Sequence, residues 1–203
     1  MRIAIVDYGM GNIKSITSTL NFLGVEDVMV TKNFDELKNA NKIILPGVGS
    51  FAKAMSKIIE NKIDEKLQEL VMTNKKPLLG ICLGMQLLCN SSIEDGFSNG
   101  LAFINADVTK FEEQGIKIPH VGFNQVIKNT DSILFQNINN DSDFYFTHSY
   151  KVTSDKNINQ SMCHYGQNFI AAFQVENIYA TQFHPELSQS NGLQLLKNFL
   201  NLS

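Results

Sequence analysis

Cysteine is scarce in this chain, with three among 203 residues. That is too few for a disulfide framework. No Cys-x-x-Cys or His-x-x-x-His pair occurs, so no metal or other cofactor is expected. Long hydrophobic runs are missing too, and nothing approaches a membrane span. The opening stretch Met1-Arg2-Ile3-Ala4-Ile5-Val6 meets an acid at Asp7, too early for a signal peptide, so a cytoplasmic protein is expected. Nor is there a basic excess: 17 Lys and Arg stand against 20 Asp and Glu, a net charge of −3, which offers no positive field to nucleic acid. Tryptophan is absent, and no repeat, low-complexity tract or linker is found. What is present is a 43% hydrophobic chain, enough for one sizeable core and, by its length, one domain over residues 1–203.

The pattern of apolar residues predicts an α/β protein. Strands are expected over Arg2 to Asp7, Val25 to Thr31, Lys42 to Leu45 and Pro77 to Ile81. Helices are expected over Asn12 to Leu23, ended by Gly24, and over Phe51 to Glu60 and Ile63 to Met72. This alternation is that of a mostly parallel, doubly wound sheet flanked by helices. From about Ile104 to Phe183 the alternating apolar and polar residues predict added antiparallel or mixed strands, followed by a closing helix from about Gln189 to Leu200.

Ligands of such sheets bind beyond the carboxyl ends of the strands. At one of these ends stands Gly80-Ile81-Cys82-Leu83-Gly84, followed by the helix-like Met85-Gln86-Leu87-Leu88. A glycine on each side of a central nucleophile marks a tight strand-to-helix turn, in which crowding by other backbone leaves no room for a Cβ. The first N–H groups of the following helix favour negative charge and can bind an oxyanion. Cys82 is therefore a candidate nucleophile, whereas Cys89 and Cys163 read as buried fillers. Near the other terminus, His184 and Glu186 flank Pro185. At a strand end, residues two apart share a face, so the carboxylate would orient the imidazole. Together the three supply a nucleophile, a proton shuttle and an orienting acid. His120 and His164 read as structural.

Gly80-Ile81-Cys82-Leu83-Gly84-Met85-Gln86 and Gln182-Phe183-His184-Pro185-Glu186 resemble the paired signatures of the class I, triad-type glutamine amidotransferases. Further segments are similar to one branch of that family, the glutaminase subunits of imidazole glycerol phosphate synthases. These are Asp7-Tyr8-Gly9-Met10-Gly11-Asn12, Leu45-Pro46-Gly47-Val48-Gly49-Ser50-Phe51, Pro119-His120-Val121-Gly122-Phe123-Asn124-Gln125 and Tyr145-Phe146-Thr147-His148-Ser149-Tyr150. The similarity runs over essentially the whole chain.

The resemblance implies a Cys82-His184-Glu186 triad, an oxyanion hole from the N–H of Leu83 and one from Gly47 or Val48, and substrate contacts from Gly49, Gln86, His148, Ser149 and Tyr150. The substrate it implies is L-glutamine, hydrolysed through a cysteine thioester. The implied partner is a TIM-barrel cyclase subunit, joined as a heterodimer, that receives the ammonia. Asn12, Phe123 and Gln125 match family positions near that interface. Two residues depart from the usual pattern, Phe123 for Trp and Leu187 for Lys. A related glutaminase that feeds an ATP-dependent enzyme of acetamidino-sugar biosynthesis shares these motifs and stays open. So does a nucleotide-binding module built on Gly9-x-Gly11, though Lys14 stands where the dinucleotide fingerprint has its third glycine.

Overall fold

In the computed structural model, which describes residues 1–112 and 115–202, the apolar strands β1 (Arg2–Val6), β3 (Lys42–Leu45) and β4 (Leu78–Ile81) are buried on both faces, while β2 (Asp27–Thr31), at the sheet edge, is only partly buried. These four lie in the order β2-β1-β3-β4, all parallel. β13 (Ile178–Thr181) adds in parallel to β4. Ile3, Ile5, Ile44, Leu79 and Ile81 enter one core, against α1 (Ile13–Phe22) and α6 (Gln189–Leu200). Ala4, Val6, Ile43, Leu45 and Leu78 enter the other, against α2 (Phe34–Asn39), α3 (Phe51–Glu60), α4 (Ile63–Leu67) and α5 (Leu83–Leu87). Helices on both faces are what a buried parallel sheet requires.

The predicted elements are present, with changes at their ends. α1 begins after Asn12 and stops before Gly24, whose φ of +85° suits a residue without a Cβ. The α3 helix and β3 occupy the predicted spans, as does α6. The helix expected over Ile63 to Met72 is α-helical only to Leu67 and widens to a π-helical turn over Gln68–Thr73. There the Asn177 side-chain amide donates to the Val71 carbonyl at 2.9 Å, drawing it out of the regular ladder.

Beyond β13 the sheet turns antiparallel, apart from the parallel pairing of the chain's fifth and seventh strands, and forks at β12 (Gln167–Val175). One limb runs through β10 (Tyr150–Thr153) to β7 (Asp107–Lys110) and the short β5 (Ser91–Ser92) and β6 (Ser98–Asn99). The other runs through β11 (Ser161–Tyr165) and β8 (His120–Ile127) to β9 (Ser142–His148). β8 and β9 pair so that His120 stands directly opposite His148. No described helix is long and apolar enough to cross a membrane. No group of three or more described His, Cys, Asp or Glu residues could hold a metal ion.

Candidate active site

Cys82 leaves the end of β4 with φ +54° and ψ −111°, a conformation that L-residues rarely adopt. Its N–H donates to the Thr181 carbonyl at 2.7 Å, and its own carbonyl accepts from the N–H groups of Met85 and Gln86, starting α5. The flanking glycines make the turn possible by close approach. A Cβ on Gly84 would collide with the Leu45 carbonyl oxygen, and one on Gly80 would lie 2.9 Å from the Gly84 carbonyl oxygen. Strain at a side chain held this tightly is a mark of functional sites.

The structure corrects the expected strand end at His184. β13 stops at Thr181, and Pro185–Leu187 forms a turn of 3₁₀ helix with Pro185 at its first position. Proline lacks an N–H and has a fixed φ, which suits it to that position. The two side chains still meet, because the turn folds Glu186 back: the His184 Nδ1–H donates to Glu186 Oε1 at 2.8 Å, with both groups buried. β9 and Ser188 hold the segment. The His184 N–H donates to the Tyr145 carbonyl at 2.9 Å, while the Ser188 hydroxyl accepts from the Tyr145 N–H and donates to the His184 carbonyl.

The other ring nitrogen of His184, Nε2, is buried without a hydrogen-bond partner among the described residues, as is Glu186 Oε2. Burial opposes charge on this ring, but the Cys82 sulfur and the Glu186 carboxylate outweigh it and push the His184 pKa up to about 10. The Cys82 sulfur lies 3.8 Å from the Thr147 carbonyl oxygen and accepts from the Gln182 amide, also at 3.8 Å. The thiol, the imidazole and the carboxylate thus occupy one neighbourhood, assembled from the ends of β4 and β13.

Cys82 opens onto a cavity of about 330 Å³ bordered by Val48, Gly49, Leu83, Gln86, His148, Ser149 and Tyr150. Gly49 has φ +96°. Gly47 does not border the cavity but lies behind it, where a Cβ would meet the Tyr8 hydroxyl at 2.6 Å and the Gly84 nitrogen at 2.8 Å. That hydroxyl donates to the Pro46 carbonyl at 2.7 Å, tying the loop down. Burial, with the Cys82 sulfur behind it, raises the Tyr8 pKa, so the hydroxyl remains a donor.

The family model of the Glutamine amidotransferase class-I domain matches residues 4–202. The chain belongs to the class I glutamine amidotransferases. It is 45% identical over 201 residues to Imidazole glycerol phosphate synthase subunit HisH 1 of Campylobacter jejuni subsp. jejuni serotype O:23/36 (strain 81-176), covering 98% of this chain and 100% of that one. It is 41% identical to subunit HisH 2 of Vibrio vulnificus (strain YJ016), with 99% and 94% covered, and 42% identical to subunit HisH of Leptospira borgpetersenii, with 98% and 100% covered. Among solved structures, the fold matches that of a chain of PurLQS from Thermotoga maritima at a TM-score of 0.72. The identity is 17%, and 98% of this chain and 97% of the other are covered.

In this amidotransferase a further carboxylate borders the cavity, Glu94, which the motifs did not reveal. Its Oε2 accepts from the Phe51 N–H at 2.8 Å, and burial raises its pKa against that bond. Of the residues expected near a partner, Phe123 is half-exposed on β8 and stacks edge-on to Tyr145 at 5.5 Å, while Gln125 is exposed. Leu187 is exposed as well. Asn12 is tied to the site itself: its side-chain amide donates to Glu186 Oε1 at 3.1 Å. Cys89 and Cys163 are buried, His164 is exposed, and His120 is buried.

Proposed function

We propose that this chain is the glutaminase subunit of an imidazole glycerol phosphate synthase, a single domain over residues 1–203 that releases ammonia from L-glutamine for histidine biosynthesis. The observation that carries the reading is Cys82, held at a positive φ at the cavity's edge beside the buried His184–Glu186 pair. The Cys82 sulfur, its proton already taken up by His184, attacks the side-chain amide carbon of glutamine. The carbonyl π electrons move onto oxygen, where the Leu83 N–H and one from the Gly47–Val48 segment meet the charge. The imidazolium gives its proton to the departing nitrogen, the C–N bond breaks, and ammonia leaves a thioester. Water, deprotonated by the same ring, then releases glutamate, leaving the proton on His184 beside the freed Cys82 sulfur. Glu186 keeps the ring oriented, and Asn12 keeps Glu186 in place.

Glutamine fits the cavity by charge as well as by size. Glu94 supplies an anion for the substrate's ammonium, and Gln86 with the His148-Ser149-Tyr150 segment lines the same cavity. The ammonia goes to a TIM-barrel cyclase subunit bound across the face carrying Phe123 and Gln125, near Asn12. Such a complex works in the cytoplasm, on small-molecule substrates without nucleic acid. The HisH names of the relatives favour this assignment over acetamidino-sugar synthesis. Expression in a histidine auxotroph lacking its own glutaminase subunit, together with the cognate cyclase gene, is the test. Rescue by the wild type and loss of rescue in Cys82→Ala is expected, whereas no rescue alongside glutaminase stimulation by a sugar-modifying partner would overturn the pathway.

A further inference from the structure

His120 stays outside the chemistry above, yet it is buried and heads an uninterrupted line of hydrogen bonds that ends at the nucleophile. The proton positions along that line follow from one fixed point. A carbonyl can only accept, so His148, whose Nδ1 lies 2.7 Å from the Tyr150 carbonyl oxygen, carries its hydrogen on Nδ1. The neutral ring then has a bare Nε2. His120 Nδ1 lies 3.2 Å from it and is the donor. That leaves His120 Nε2 as an acceptor, and the Asn124 amide lies 3.4 Å away. Burial pushes the pKa of His148 down to about 3, aided by the neighbouring His120 and His184 against the Tyr150 carbonyl, and that of His120 down to about 4. Both rings are neutral in the physiological range, as the assignment requires.

Downstream of His148 the line continues to the cavity. The Tyr150 carbonyl also accepts from Gln86 Nε2 at 3.1 Å, and the same nitrogen donates to Gln182 Oε1 at 3.0 Å. Both hydrogens of the Gln86 amide are thus spent inside the protein, which leaves its oxygen as the part available to a ligand in the cavity it borders. Gln182, oriented by that bond, presents its own amide hydrogen to the Cys82 sulfur. The His120 ring cannot turn freely, because Phe146 and Tyr165 stack on it at 4.9 and 3.9 Å between centroids.

We propose that His120 is a positioning residue for glutamine recognition: by donating to His148 it fixes the Nδ1–H tautomer that holds the Tyr150 carbonyl and, through it, the acceptor face of Gln86. The proposal rests on the glutaminase reading for its consequence, but the tautomer does not. The neutral side chain of free histidine favours hydrogen on Nε2, so two buried histidines in the Nδ1–H form are a distinctive signature. ¹⁵N-histidine NMR of the whole protein at neutral pH is expected to show both rings in that form. His148 in the Nε2–H form would overturn the proposal whatever the enzyme does. In the assembled synthase, His120→Phe keeps the stacking but removes the donor. It is expected to raise the KM for glutamine about tenfold, the size of one lost buried hydrogen bond, with kcat moved less than about threefold. His120→Asn, whose amide replaces the Nδ1 donor, is expected to restore KM to within about twofold. An unchanged KM in the phenylalanine variant, or an asparagine variant as impaired as it, would also overturn the proposal. If the wild type makes no glutamate with any partner, the glutaminase reading fails and the NMR result still decides the tautomer.

Discussion

The parallel and antiparallel halves of the sheet contribute to the site in different ways. The ends of β3 and β4 supply backbone: a glycine loop at Pro46-Gly47-Val48-Gly49 and a strained turn at Cys82, both made possible by approaches too close for a Cβ. The antiparallel half, joined at β13 and met by α5 across the site, supplies side chains that orient one another, His184 on Glu186, His120 on His148, and Gln182 on Gln86 of α5. Where backbone does the work, residue choice is restricted to glycine and the constraint is written in neighbouring positions. Where side chains do it, the constraint is spread over strands far apart in the chain.

Replacing the nucleophile should separate the halves most sharply. Cys82→Ala should lower glutamate release on the order of 10⁴-fold or more while ammonium-driven synthesis by the complex persists, measured in parallel assays. Joint loss of both activities would mean that the turn also builds the partner face. His184→Ala should cost roughly 10³-fold in the same glutamate assay, and a folded, partner-bound variant with near-normal turnover would remove the antiparallel half from the chemistry. On the parallel side, Gly84→Ala forces a Cβ against the Leu45 carbonyl and should cost about 3 kcal/mol in urea unfolding. A neutral outcome would show that the close approach is not a constraint.

Glu186→Ala should lose roughly tenfold less in kcat than His184→Ala, because water can partly stand in for a removed orienting group. The smallest effect concerns pH. The His184 pKa is raised to about 10 from an ordinary value of 6.5, so its stabilising contribution is complete below about pH 6.5 and is lost as pH rises towards 10. The difference in urea midpoint between wild type and His184→Ala should therefore move against the wild type across that window. A constant difference would mean that the ring is not held charged in the folded protein.

The same contrast explains what could be read without coordinates. Gly80, Gly84 and the glycine loop were legible because each reports a local steric demand next to the residue it serves. The His184 and Glu186 pairing was also visible, although through a 3₁₀ turn rather than the strand end that its spacing indicated. Glu94 was not legible, since its place in the cavity depends on a bond to Phe51, 43 residues earlier. Asn12 reaches Glu186 across 174 positions, so its motif could point to the strand end but not to the carboxylate it holds. His120 gains its partner only from the β8–β9 register, and apolar alternation fixes that register without naming which polar pair it brings together. The fork at β12 and the π-helical turn after α4 likewise depend on contacts between distant segments.

The most direct test of the sulfur-based mechanism is to mix the partner-bound enzyme with isotopically labelled glutamine, quench it with acid within one turnover, and map the label by peptide mass spectrometry. A glutamyl group on the peptide bearing Cys82, absent from Cys82→Ser, is the expected result. Turnover to glutamate at the normal rate with no acyl group on that sulfur, or with the label on another residue, would contradict it.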